Sequence, residues 1–316
     1  MLRRISLSTT SRQRHILGEY FHERADTLVL IPTIIHGNES SGKEAFERFF
    51  SLMHNEQIPV RAHIVGLQGN IEAYQRNVRY IDEDLNRLWT KENWHLIRMN
   101  AYHPRTHEGK VFVELIHTIQ DYRHKLRPRQ IIWLDLHCTS SPRGTFIVTT
   151  RHHANLFLAA QLDIPVVLGL DNILRGTAIR FFSEMRHTVS LAVEGGQIGD
   201  PQAVDVHHAV IWTALKAAGF IDRSYYSFIN PFEQFLSQLS ANLPHKVIVR
   251  YGHFIDPSYQ FKMLPGFRNF DYIRKGSLLA TQWDGPVYAP ISGYLLMPLY
   301  QPQGHEGFYI ARPIKH

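Results

Sequence analysis

The segment Ile131–Leu136, reading IIWLDL, restricts the fold of this chain more than any other stretch. It is short and almost unbrokenly apolar, interrupted only by Asp135, so it suits a central strand buried on both faces. Such a strand needs helices above and below it. The neighbouring sequence supplies them in alternation. Thr27–Ile35, Val60–Leu67, Thr145–Thr149, Pro165–Leu168 and Val189–Val193 read as further strands. Gly42–His54 reads as an amphipathic helix with Ala45, Phe46, Phe49, Phe50 and Met53 on one face. Lys110–Lys125 is a second helix, with Val113, Leu115, Ile116 and Ile119 at core-facing intervals, and Ala203–Ala218 follows an Asp-Pro start as a third. Strands separated by helices specify an α/β fold with substantial parallel pairing, in which sites gather beyond the carboxyl ends of strands.

The character changes near Asp222. Phe232–Ser240 reads as one more helix, and from His245 onward β-branched, aromatic, Gly and Pro residues dominate: KVIVRYGHFI, PVYAPISGYLLMPLY and GFYIARPI. The expected organisation is a catalytic domain over residues 1–222 and a small β-rich domain over 223–316. No run of about 18 apolar residues is present, so no membrane span is expected. MLRRISLSTTSRQRH lacks the apolar stretch of a secretory signal. The single cysteine, Cys138, rules out an intramolecular disulfide and suits a reducing cytoplasm. The formal charge of +6 is spread among acids with no basic stripe, which argues against nucleic acid and favours a mild attraction for small anions.

Four segments carry chemistry. His36-Gly-Asn-Glu39 closes an apolar strand, and the glycine lets His36 and Glu39 turn toward one atom. Leu134-Asp-Leu-His137 closes another, and a histidine there could complete a two-His, one-Glu set with an open fourth position, as in catalytic zinc sites. The bland alternative for His137 is a core histidine bonded to a neighbour, and Asp135 either orients a ligand or caps a loop. Arg79-Tyr-Ile-Asp-Glu-Asp-Leu-Asn-Arg-Leu-Trp89 reads as a structured loop whose two arginines could serve different ends of a substrate. Asp82, Glu83 and Asp84 are expected to position those arginines. Ala192-Val-Glu-Gly-Gly-Gln197 delivers the Glu194 carboxylate from a strand into a glycine turn, where beside a metal it could move a proton.

The ordered set HGNE, RYIDEDLNRLW, DLH and VEGG resembles the succinylglutamate desuccinylase and aspartoacylase family, within the wider zinc carboxypeptidase-like group. The resemblance runs from about Leu28 to the C-terminus and is strongest between residues 36 and 197. It implies a carboxypeptidase-like mixed sheet flanked by helices, followed by a small β-rich domain that helps close the site. It also implies one Zn2+ per chain on His36, Glu39 and His137, with Arg79 polarising the scissile carbonyl. Asn86 and Arg87 would hold the substrate carboxylate, and Glu194 would act as general base and then general acid. Arg175, Arg180, Arg186, Tyr288 and Tyr309 are candidates for selecting the rest of the substrate. Cys138, beside a presumed ligand, reads as a packing residue because no activating partner is evident.

The expected activity is hydrolysis of an N-acyl amino acid, of the N-acetylaspartate or succinylglutamate kind, by metal-activated water in the cytoplasm. A zinc carboxypeptidase acting on peptides uses similar parts, and a non-catalytic ligand-binding relative would retain the fold. No nucleic acid or membrane partner is expected, and assembly into a homo-oligomer is left open.

Overall fold

The computed structural model describes residues 14–256, 258 and 260–314. Most of the N-terminal segment read for a secretory signal lies outside the described residues. The first half contains strands β1 (Ile16–Tyr20), β2 (Thr27–Thr33), β3 (His63–Gln68) and β4 (Gln130–Thr139), with helices α1 (Ser41–Asn55), α2 (Ile71–Gln75), α3 (Lys91–Arg98) and α4 (His107–Leu126). Next come β5 (Phe146–Val148), α5 (His153–Ala160), β6 (Val166–Leu168), α6 (Leu170–Ile173), α7 (Ala178–Ser183), β7 (Thr188–Gln197) and α8 (Pro201–Ala217). After α9 (Tyr226–Ser240) the chain is all β: β8 (Lys246–Phe254), β9 (Lys262–Met263), β10 (Tyr272–Ile273), β11 (Leu278–Gln282), β12 (Gly285–Tyr288), β13 (Gly293–Leu296) and β14 (Glu306–Pro313).

Among the described residues these form one 11-stranded sheet in the order β1-β3-β2-β4-β7-β5-β6-β8-β14-β13-β10, and a small sheet β12-β11-β9. The sheet is mixed. β3, β2, β4 and β7 run parallel, β5 runs antiparallel to β7, and β6 and β8 run parallel to β5. The C-terminal strands β14, β13 and β10 then follow β8 in turn, each antiparallel to the strand before it.

Helices cover both faces because the strands are apolar on both. Along β4, Ile132, Leu134 and Leu136 pack with Phe46 and Phe49 of α1, Trp212 of α8 and Leu236 of α9. Ile131 and Trp133 face the opposite way, toward Phe112 and Ile116 of α4 and Phe182 of α7. Each such buried side chain contributes about 1.5–3 kcal/mol. The α4 face differs slightly from expectation: Val111 and Phe112 are in the core, whereas Val113 is only partly buried. No described helix is long and apolar enough to cross a membrane.

The period-2 alternation of β4 places its last residues as well. Asp135 and His137 continue the face of Ile131 and Trp133, and at this end of the strand that face opens into a cavity instead of meeting a helix. Ala192 and Glu194 do the same on β7, opposite Asp135 and His137 in the ladder. β7 extends to Gln197, so Glu194 lies within the strand and not at the glycine turn expected after it.

Candidate active site

The cavity is partly open, with about 910 Å3 of empty space when the solvent at its mouth is counted. His36, Glu39, Arg79, Asn86, Arg87, His137 and Glu194 all line it. The sequence placed these residues on four separate segments, and the fold brings them together.

His36 and Glu39 follow β2 on a sharp turn. Ile34 adopts φ 46°, uncommon for a β-branched residue, and redirects the chain just before His36. Gly37 then passes so near α2 that a Cβ would lie 2.2 Å from the backbone carbon of Ala73. The result is a compact group in which one donor atom from each of His36, Glu39 and His137 lies within 4.8 Å of the others. His36 Nδ1 is 2.8 Å from Glu39 Oε1, and His137 Nδ1 is 2.9 Å from Glu39 Oε2.

The opposite ring nitrogens are backed by carboxylates. His36 Nε2 is 3.1 Å from Asp84 Oδ1, and His137 Nε2 is 3.2 Å from Asp135 Oδ2, though off the hydrogen-bond direction. A proton on each Nε2 leaves each Nδ1 lone pair facing the centre of the group, the orientation that metal-binding imidazoles take when a carboxylate fixes their tautomer. Two such nitrogens and one carboxylate, all buried, match the donor set of a catalytic zinc site. The residues therefore fit the metal that the sequence implied.

The same groups also favour their charged forms. Desolvation would raise the Glu39 carboxyl, but the imidazoles of His36 and His137 outweigh it and hold the group far below the usual carboxylate range. Burial opposes charge on His137 as well, yet Asp135 and Glu39 push its pKa well above normal. Glu194 goes the other way. Burial raises it to about 7, and its Oε2 is buried without a hydrogen-bond partner. A carboxyl poised near neutrality beside a metal-donor group is suited to carry a proton in both directions.

The loop from Arg79 to Trp89 is anchored at several points. Asp84 accepts from Arg79 Nη2 at 3.0 Å and, at the N-cap of a single 3-10 turn over Leu85–Arg87, from Asn86 N–H at 2.8 Å. Arg79 also reaches Glu39 Oε1 at 3.5 Å. Asp82 and Glu83 do not position arginines as expected. Asp82 accepts from the His107 N–H and Glu83 from the Thr106 hydroxyl, tying the loop to the start of α4.

Glu108, fully buried in the first turn of α4, was missed. Its two oxygens accept from the N–H groups of Ile81, Asp82 and Glu83 and from Asn70 Nδ2, with distances of 2.6–3.2 Å. An acid in a helix's first turn normally reads as a surface residue favoured by the helix dipole, so only the fold discloses it.

Asn86 Oδ1 accepts from the Ala178 N–H at 2.9 Å, and Arg87 donates to the Asn86 carbonyl at 2.8 Å and to Glu306 Oε1 at 2.7 Å. Glu306 belongs to β14, far along the chain, and had no sequence signal. Of the remaining candidates, Tyr309 lines the cavity, whereas Arg175, Arg180, Arg186 and Tyr288 are not among its lining residues. Arg180 is engaged with Glu184 and the Asp171 carbonyl. Cys138 is buried, its Sγ 3.0 Å from Ser41 Oγ, and burial pushes its thiol well above the ordinary value, as befits a packing residue.

Residues 26–211, more than half of the chain, match the model of the succinylglutamate desuccinylase/aspartoacylase catalytic domain. The chain belongs to this family. It is 28% identical over 213 residues to an N-acyl-aromatic-L-amino acid amidohydrolase (carboxylate-forming) of Xenopus tropicalis, a match covering 64% of this chain and 63% of that one. It is 24% identical over 148 residues to a succinylglutamate desuccinylase of Shewanella frigidimarina, covering 46% of this chain and 42% of the relative. Each of these matches thus spans less than two thirds of the relative's length. The fold is shared with the crystal structure of a succinylglutamate desuccinylase from Vibrio cholerae, with a TM-score of 0.63, 18% identity, and coverage of 93% of this chain and 84% of that one.

Proposed function

We propose that this family member is a zinc-dependent amidohydrolase that releases the acyl group from an N-acyl amino acid. The observation that carries the reading is the meeting of the buried His36–Glu39–His137 group with Arg79, Glu194 and the Asn86–Arg87 pair in one cavity. The Xenopus tropicalis amidohydrolase and the Shewanella frigidimarina desuccinylase, each named for removal of an acyl group from an amino acid, support it.

A zinc ion held by His36, Glu39 and His137 would supply Lewis acidity and acidify water toward neutral pH. The chain's own groups do the rest. Asn86 and Arg87 hold the substrate carboxylate. With Asn86 Oδ1 committed to Ala178, the Asn86 amide is left to donate. Glu194 accepts a proton from the attacking water as its oxygen bonds to the amide carbon. Arg79, charged and held by Asp84, donates to the carbonyl oxygen as negative charge develops there. The C–N bond then breaks, and Glu194 returns its proton to the departing nitrogen. The products are a carboxylate and a free amino acid.

The test is elemental analysis of purified protein together with amine release from N-acyl amino acids and from a dipeptide. About one zinc per chain, lost in His137→Ala, with release from N-acyl amino acids exceeding that from the dipeptide, is the expected result. A protein that takes up no metal even when zinc is supplied would overturn the proposal.

A further inference from the structure

The cavity has a polar floor and an apolar wall, and the place of the wall relative to Arg87 bears on the substrate; the inference rests on the hydrolase reading above. Val148, Leu170, Leu174, Ile179 and Ala192 line the wall. The chain carrying Leu174 and Ile179 is bound to the Asn86–Arg87 pair. Ala178 N–H donates to Asn86 Oδ1 at 2.9 Å, and Trp89 N–H donates to the Gly176 carbonyl at 3.0 Å. Gly176, at φ +69°, lies so near that a Cβ there would be 2.0 Å from the Arg87 carbonyl oxygen. A substrate whose α-carboxylate reaches Arg87 therefore brings its Cα to this segment. The amino-acid side chain meets the apolar wall, and the acyl group lies on the metal side.

Thr177 strengthens the placement. It stands at the N-cap of α7, yet its hydroxyl makes no capping bond, is buried without a partner, and lines the cavity. A carboxylate oxygen held at Arg87 is the acceptor it lacks.

Charge restricts the side chain further. Among the described lining residues, Arg79 and Arg87 are the only Arg or Lys, and each already faces a carboxylate: Asp84 for Arg79, Glu306 for Arg87. Nη1 and Nη2 of Arg87 each spend one N–H on Asn86 and Glu306, which leaves part of the guanidinium for one more acceptor. A second substrate carboxylate would find no uncommitted cation, and would meet Glu306, Asp135 and Asp171.

We infer that the site selects N-acyl amino acids bearing one carboxylate and an apolar side chain, with Thr177 and Arg87 binding that carboxylate and Glu306 excluding a second. The inference is tested with the zinc-loaded full chain on the N-acetyl derivatives of phenylalanine, leucine, aspartate and lysine (on its α-nitrogen), and on N-succinylglutamate. Binding of the same compounds to Glu194→Gln is measured in parallel by calorimetry.

The phenylalanine and leucine compounds should exceed the dicarboxylates in kcat/KM by on the order of tenfold or more, the scale on which an apolar pocket discriminates. Glu306→Gln should narrow that ratio at least about threefold by improving the dicarboxylates. Thr177→Val should raise KM for every substrate with kcat little changed, and Thr177→Ser should restore it. Preference for a dicarboxylate or the lysine compound would overturn the selectivity, and an unmoved ratio in Glu306→Gln would overturn the role of Glu306. Tight binding in the expected order without any turnover by the wild type would remove the hydrolase reading and uphold the selectivity. Turnover in the reverse order would do the opposite.

Discussion

The floor of the cavity and its C-terminal rim are held in place by different means. His36, Glu39, His137 and Glu194 sit on or just beyond β2, β4 and β7, neighbouring parallel strands whose register is set by buried ladders. Even the Glu39 carboxylate is tied to the sheet, accepting from the Cys138 N–H at 3.0 Å. The rim comes from the chain around β13 and β14, and a few side chains fasten it. Asn38 Nδ2 donates to Gln301 at 2.8 Å, Gln303 bridges Arg79 N–H and the Tyr80 carbonyl, and Glu306 pairs with Arg87. Main-chain geometry thus fixes the proposed metal ligands and Glu194, while side-chain contacts fix the rim around the proposed substrate site. Substitutions in the floor should strike turnover, and those at the rim should strike recognition.

The sharpest test of that division is Glu194→Gln. Loss of the proton carrier should lower kcat about 10²–10⁴-fold, while elemental analysis finds the metal retained. Equal loss of metal would break the assignment of roles within the floor. Glu108→Ala should cost stability more than chemistry. It removes the acceptor of three part-buried N–H groups and of the buried Asn70 amide, a loss of about 1–3 kcal/mol for each group left buried without a partner, which urea denaturation would register as a lowered midpoint.

Arg87→Ala, at the boundary between the two regions, should raise KM about 10–100-fold, the worth of a charged hydrogen bond of about 1.5–3 kcal/mol, with kcat within a few-fold of wild type. A comparable fall in kcat would assign Arg87 to the floor.

Acid should act on the support of the floor. Burial lowers His207 from 6.5 to about 4, and its Nε2 lies 3.0 Å from the His137 carbonyl. Because the folded state prefers the neutral ring, its contribution is intact above about 6.5 and is lost as pH falls toward about 4. Stability measured between pH 7 and 4 should decline less steeply in His207→Gln than in wild type. The smallest effect is expected from Gln303→Ala, where loss of two neutral hydrogen bonds, about 0.5–1.5 kcal/mol each, should raise KM a few-fold and leave metal content unchanged.

The same division explains what could be read from the chain alone. The α/β sheet was legible because TLVLIPTIIH, IIWLDLH and LAVEGG each run an apolar stretch into a candidate site residue, a pattern that names both the strand and its end, while its mixed character came from the family resemblance. The family motifs in the matched region, residues 26–211, were legible for the same reason. Asp84 was visible only as one acid among three, and its backing of His36 depends on a turn that no periodicity encodes. Glu306, Gln301 and Gln303 look like ordinary surface residues; the first two line the cavity and Gln303 meets the Arg79–Tyr80 backbone only because β14 pairs with β8. Thr177 resembles any helix cap. Long-range side-chain contacts of this kind leave no local pattern to read.

β14 bears two residues that line the cavity, Glu306 and Tyr309, while its backbone pairs with β8 on one side and β13 on the other. Shifting that strand by a single residue would turn every side chain to the opposite face. Along β14, diversification is therefore open to residue exchange and closed to insertion or deletion. Changes of length must be absorbed in the turn over residues 297–305, upstream of the strand, if the sheet is to survive them.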